Sequence, residues 1–153
     1  MNTHTLLFLC TGNYFRSRFA EILFNHHAQR QGLVWSADSR GIAVELGTRN
    51  VGPISRYTLG ALNRRRIDPT HSMRFPIQLT EADLIQARHV VAVKEAEHRP
   101  LLARKFPAWV GRVEYWQVDD IDCAPPDEAL ALLEKEVVGL LTRLAAETPS
   151  RGV

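Results

Sequence analysis

Cys10 and Arg16, separated by five residues in Phe8-Leu9-Cys10-Thr11-Gly12-Asn13-Tyr14-Phe15-Arg16-Ser17, are the pair in this chain best suited to chemistry. The cysteine ends an apolar run and the arginine stands where a helix begins, so the residues between can curl until their backbone N–H groups converge. Such a ring of amides from Thr11, Gly12, Asn13, Tyr14, Phe15, Arg16 and Ser17, joined to a helix N-terminus, is an anion site. Arg16 closes it, because a planar guanidinium takes two phosphate oxygens at once where lysine offers only a point charge. The same field favours thiolate over thiol at Cys10, and the Ser17 hydroxyl can donate to that thiolate. Asn13 suits a left-handed corner and can hold the loop by local hydrogen bonds. These parts imply in-line attack of the Cys10 thiolate on a bound phosphate monoester, giving a phosphocysteine that water then hydrolyses. The leaving oxygen needs a proton, so a carboxylic acid must stand opposite. A buried cysteine is more often just a small hydrophobe, and Cys-X5-Arg alone is weak. The strand, turn and helix around it carry the inference.

The elements that must position this loop read as follows. Thr5 to Cys10 is a short apolar run, the pattern of a strand buried on both faces. Ser17 opens a helix through Phe19, Ile22, Leu23 and His26, with Glu21 as a first-turn charge and Gly32 as its stop. A second strand is expected over Leu33 to Ala37, a helix from Ser55 to Asn63, and a capped short helix at Thr80-Glu81-Ala82-Asp83. Val90 to Val93 is the most strand-like segment, Glu95 to Phe106 reads as a helix despite Pro100, and Val113 to Val118 as a fourth strand. Asp127 to Ala146 makes a terminal helix with Leu130, Leu133, Val137, Leu141 and Leu144 on one side. Strands alternating with helices predict a doubly wound parallel sheet, with ligands beyond the carboxyl ends of the strands. Cys10 and the loop after Val118 both fall there.

Composition narrows the class. A chain of 153 residues, 45% apolar and 24% charged, suits one globular domain over residues 1–153. Nineteen Lys and Arg against seventeen Asp and Glu give +2, too little to argue for a nucleic-acid partner. The apolar runs fall short of the roughly 18 residues of a membrane span, so membrane insertion is not expected. Two cysteines, Cys10 and Cys123, are too few for a disulfide framework and point to a reducing compartment. Leu6-Leu7-Phe8-Leu9 is too short for a signal-peptide core, so the expected location is the cytoplasm.

The segment around Cys10 resembles the N-terminal signature of the low-molecular-weight protein tyrosine phosphatases, Cys-X-Gly-Asn-X-X-Arg-Ser, matched by Cys10, Gly12, Asn13, Arg16 and Ser17. Ala20-Glu21, Ser36-Ala37 with Gly41, His71-Ser72 and Ala82-Asp83-Leu84-Ile85 extend the similarity more diffusely. The resemblance implies a flavodoxin-like sheet of four parallel strands with helices on both faces, and cofactor-free, metal-free hydrolysis of phosphotyrosine in a phosphoprotein. It also implies a general acid soon after the fourth strand. The family has an Asp-Pro pair there; this chain has Trp116-Gln117-Val118-Asp119-Asp120-Ile121-Asp122. Family spacing puts the acid at Asp120, with Asp119 next and Asp122 third. His71 reads as an ordinary structural or surface histidine, with support of the phosphate loop from behind as the alternative that the resemblance suggests.

Other departures are Phe15 where many relatives carry a second cysteine, the bulky Tyr14, Arg18 for a frequent proline, and Lys94 for methionine. With no cysteine at position 15, Cys10 lacks a partner for a protective disulfide there. Arg64-Arg65-Arg66 reads as a solvated helix end, with docking of phosphoproteins as an alternative. Trp35, Trp109 and Trp116 read as core residues. Two further functions fit the loop. Thiol-dependent arsenate reduction keeps the fold but needs further cysteines, and only Cys123 is left. A phosphate- or phosphoprotein-binding module needs the loop without the acid.

Overall fold

The apolar run near the N-terminus becomes the inner strand β1 (His4–Cys10), paired in parallel with β2 (Trp35–Gly41) on one edge and β3 (His89–Ala92) on the other. The computed structural model describes residues 3–147. A fourth parallel strand, β4 (Glu114–Tyr115), pairs with β3, and the order is β2-β1-β3-β4. This is the doubly wound parallel sheet expected from the alternating pattern, in the flavodoxin-like form that the resemblance implies. Successive residues of a strand face opposite ways, so β1 feeds two cores. Leu6, Phe8 and Cys10 join one, built with helices α1 (Arg16–Gln31), α2 (Arg56–Arg64) and α5 (Pro126–Glu147). Leu7 and Leu9 join the other, under α3 (Glu81–Gln86) and α4 (Glu95–Lys105). Phe8 lies fully buried between the rings of Phe24 and Trp116, at 6.2 and 5.7 Å between centroids. Burying such a ring contributes roughly 1.5–3 kcal/mol.

Several boundaries follow from named residues. Gly32 takes φ 66 at the end of α1, and the Leu33 amide then closes back on the Ala28 carbonyl at 2.9 Å. That turn uses up Leu33, so β2 starts at Trp35 and runs four residues beyond the expected Ala37. Its later half is polar because it is an edge strand that alternates buried Ala37, Ser39 and Gly41 with more accessible residues. Ser55 caps α2 by accepting from the Tyr57 amide at 3.1 Å, and Thr80 with Asp83 forms the expected capping box. The fourth strand is shorter than expected. Regular pairing stops at Tyr115, although the amides of Trp116 and Val118 still bond the carbonyls of Ala92 and Val93.

Arg64 and Arg66 are exposed at the end of α2, as expected of a solvated helix end, and Arg64 pairs there with the exposed Asp127 at 2.9 Å. Arg65 is half-buried, pairing with Glu134 of α5 at 3.0 Å and lying over the Phe19 ring. Trp35 and Trp116 are core residues as expected, whereas Trp109 is only half-buried, stacked beneath Arg112. Among the described residues no helix is long and apolar enough to cross a membrane.

Candidate active site

The loop between β1 and α1 sits at the carboxyl end of the sheet, and backbone from the end of β2 pins it. The Ile42 amide bonds the Cys10 carbonyl at 2.9 Å and the Ala43 amide bonds the Thr11 carbonyl at 3.0 Å. Gly41 makes this approach possible: a Cβ there would stand 2.8 Å from the Thr11 carbonyl oxygen and 3.1 Å from Asn13. Asn13 takes the left-handed corner at φ 53 and is wholly buried. Its Nδ2 donates to Ser17 Oγ at 2.8 Å and Ser39 Oγ at 2.9 Å. Its Oδ1 accepts from Arg74 Nη1 at 2.9 Å and from the Ile77 amide at 3.0 Å. Every polar atom of that amide is therefore satisfied, which fixes the corner.

Ser17 does not cap the helix. The helix starts at Arg16 after Phe15, without a side-chain cap, because the Ser17 hydroxyl is committed inward. It accepts from Asn13 and lies 3.0 Å from Cys10 Sγ, where its own proton can be donated to a thiolate. Cys10 is only 3% exposed. Glu21 likewise is not a first-turn charge, because the helix already starts at Arg16. It is buried, accepts from Ser39 Oγ at 2.6 Å and pairs with Arg74 at 3.3 Å. Burial pushes its carboxyl up, against the Ser39 hydrogen bond and the Arg74 charge.

His71 is exposed, as read for a surface histidine, and the support behind the loop comes from Arg74 instead. Its carbonyl, together with those of Ser72, Pro53 and Asn13, accepts from the guanidinium of Arg18 at 2.7, 2.6, 2.9 and 3.3 Å. Arg18 is wholly buried, and burial followed by the like charge of Arg74 pulls its pKa down to about 10. Where relatives carry a helix-starting proline, this chain ties two separate segments, at Pro53 and at Ser72 to Arg74, to the loop. Arg18→Leu is expected to destabilise the fold by about 3 kcal/mol, since it leaves buried carbonyls unpaired. Chemical denaturation of the variant against wild type measures the loss.

The guanidinium of Arg16 is 2% exposed and is held by residues far away in sequence. Glu97 on α4 takes it bidentately, Oε1 to Nη1 at 3.1 Å and Oε2 to Nη2 at 2.7 Å, and the Val118 carbonyl accepts from Nη1 at 3.0 Å. Thr11 Oγ1 also donates to Glu97, and His98 Nε2 lies 3.1 Å from it. Burial disfavours the Glu97 carboxylate, but the adjacent His98 ring and the hydrogen bonds and charge of Arg16 hold it well below the usual range. Burial also opposes the charge on Arg16, yet the Glu97 hydrogen bond and the charges of Cys10, Glu97 and Asp120 raise it overall.

Of the three candidate acids, Asp120 comes to the site, with Oδ2 3.5 Å from Arg16 Nη2. Asp119 turns away into an ion pair with Lys94 at 2.8 Å, and Asp122 interacts with the exposed Cys123. Cys10, Gly12, Tyr14, Phe15, Arg16 and Asp120 line one cavity of about 630 Å³, joined by Arg49, Arg56 and Tyr57. Of the remaining loop residues, Asn13 and Ser17 lie buried beneath it and Thr11 is directed to Glu97. Tyr14 does not swing free across the mouth: its hydroxyl donates to the Val51 carbonyl and accepts from the Val51 amide, fastening the 49–54 segment. Phe15, in the place of the second cysteine, packs edge-on against Tyr57 at 6.4 Å.

This geometry agrees with the family model described as low molecular weight phosphotyrosine protein phosphatase, which matches residues 5–150. The chain belongs to that family. Similar members include a protein-arginine-phosphatase of Bacillus subtilis (strain 168), 29% identical over 108 residues, 71% of this chain and 67% of that protein. Among solved structures, YfkJ from Bacillus subtilis is 24% identical with a TM-score of 0.81, covering 97% of this chain and 98% of that one. A low molecular weight protein tyrosine phosphatase from T. tengcongensis is 25% identical with a TM-score of 0.74, covering 95% and 100%. Within the family frame, sequence reasoning missed Glu97, Arg74 and the caged Arg18. The sequence holds a signal only for Arg18, a charged residue in a proline's place.

Proposed function

We propose that this phosphatase hydrolyses phosphotyrosine in proteins, as one catalytic domain working in a reducing compartment such as the cytoplasm, where Cys10 stays a free thiol. Cys10 attacks phosphorus, Arg16 and the amides of residues 11–17 hold the equatorial oxygens, and Asp120 protonates the departing phenol. Thiolate and carboxyl group serve both half-reactions, so no cofactor enters the scheme. The observation that carries the substrate reading is the make-up of the cavity. Tyr14, Phe15 and Tyr57 offer ring surface to an aryl ester. Arg49 and Arg56 on the same cavity have no carboxylate partner among the described residues, and Arg56 stacks over Tyr57 at 4.9 Å.

A cationic wall favours a doubly charged aryl phosphate and acidic flanking residues, and repels the guanidinium of a phosphoarginine. The similarity to a protein-arginine-phosphatase favours that second substrate. Asp120, the one carboxylate lining the cavity among the described residues, would be its natural partner. Steady-state kinetics on matched phosphotyrosine and phosphoarginine peptides separate the two. The expected outcome is a kcat/KM at least about tenfold higher for phosphotyrosine; a reversed order would assign the enzyme to phosphoarginine.

A further inference from the structure

Arginine carries five N–H donors in a planar fork, with two distinct edges. In Arg16 the end-on edge, one N–H from each Nη, is occupied by Glu97, and the Val118 carbonyl takes the second donor of Nη1. The donors left over are the Nε–H and the other Nη2–H. These two form the side-on edge, the pair that takes two phosphate oxygens in parallel. Asp120 Oδ2, at 3.5 Å from Nη2, stands by the same guanidinium.

We infer that Glu97 is a positioning residue that sets the rotation of the Arg16 guanidinium and so presents its side-on edge to the substrate phosphate. Glu97 is itself immobilised. It accepts from Thr11 Oγ1 inside the phosphate loop, and its Oε2 lies 3.1 Å from Nε2 of the wholly buried His98. The other ring nitrogen, Nδ1, accepts from the Lys94 amide at 3.1 Å, which assigns the ring proton to Nε2, on the side of Glu97. A chain of contacts therefore runs from the start of α4 through His98 and Glu97 to Arg16. It fixes an otherwise flexible side chain before substrate arrives, so that less ordering is required on binding.

The inference rests on the phosphatase reading of the site, and wild-type hydrolysis of p-nitrophenyl phosphate reports on that reading separately. The test compares Glu97→Ala, Glu97→Gln and Arg16→Lys, singly and combined, by kcat/KM on that ester and by competitive inhibition with inorganic phosphate. Glu97→Ala is expected to lower kcat/KM about 10- to 100-fold and to weaken phosphate inhibition by a similar factor. Glu97→Gln keeps the shape and one acceptor, so it should recover part of both losses; it gives the answer should the alanine variant fail to fold. In the Arg16→Lys background there is no fork to orient, and removing Glu97 should change little. Wild-type-like phosphate inhibition in Glu97→Ala would overturn the assignment. So would an equal loss from removing Glu97 whether Arg16 is present or replaced by lysine, which would mark Glu97 as structural only.

Discussion

Replacing Cys10 by serine should abolish turnover, by at least about 10⁴-fold, and leave a folded protein. The side chain is 3% exposed and belongs to a core with Phe8 and Phe15, and serine fits the same space. What changes is the nucleophile. A serine hydroxyl at this position faces the Ser17 hydroxyl, which is too weak a base to take its proton. Only a group that ionises within the loop can attack here. Assay of p-nitrophenyl phosphate hydrolysis with both proteins, and a thermal melt of each, measures the effect. A Cys10→Ser variant that melts like wild type and keeps activity within about tenfold would remove the thiolate from the mechanism.

The second large effect concerns the proton. Asp120→Asn should slow hydrolysis of phosphotyrosine, whose phenol leaves poorly without protonation, by about 10²-fold or more. It should slow p-nitrophenyl phosphate far less, since nitrophenolate leaves without help. The geometry singles out this carboxylate, 3.5 Å from Arg16, whereas Asp119 is engaged by Lys94 at 2.8 Å. Asp119→Asn is the matching control and should lose little on either substrate. Equal losses on the two esters in Asp120→Asn would show that the residue binds or orders the loop rather than donating a proton.

How far the site can be read from sequence depends on how its parts are distributed along the chain. Cys10 to Ser17 is contiguous, and an apolar strand, a turn with Gly12 and Asn13, and a helix with Phe19, Ile22 and Leu23 at helical spacing each leave a local pattern. The inner strands β1 and β3 are apolar throughout for the same reason, being buried on both faces. The later part of β2 is polar because it lies at the sheet edge, so its length was not legible. Glu97 and Arg74 are 81 and 61 residues from the loop residues they hold, and nothing near either marks it as a partner. Arg18 defeats the rule that arginines sit at the surface, since its charge is dispersed over four carbonyls. The aspartates after Val118 could be ranked by spacing, but only the side-chain directions separate Asp120 from Asp119.

The most direct test is to stop the reaction in mid-turnover with denaturant, under conditions that preserve an S–P bond, and to map the phosphoryl group by mass spectrometry. A phosphoryl group on the peptide containing Cys10, gone once substrate is exhausted, is the predicted result. Turnover with no phosphorylated protein at any time, or with the label on another residue, would contradict a phosphocysteine mechanism.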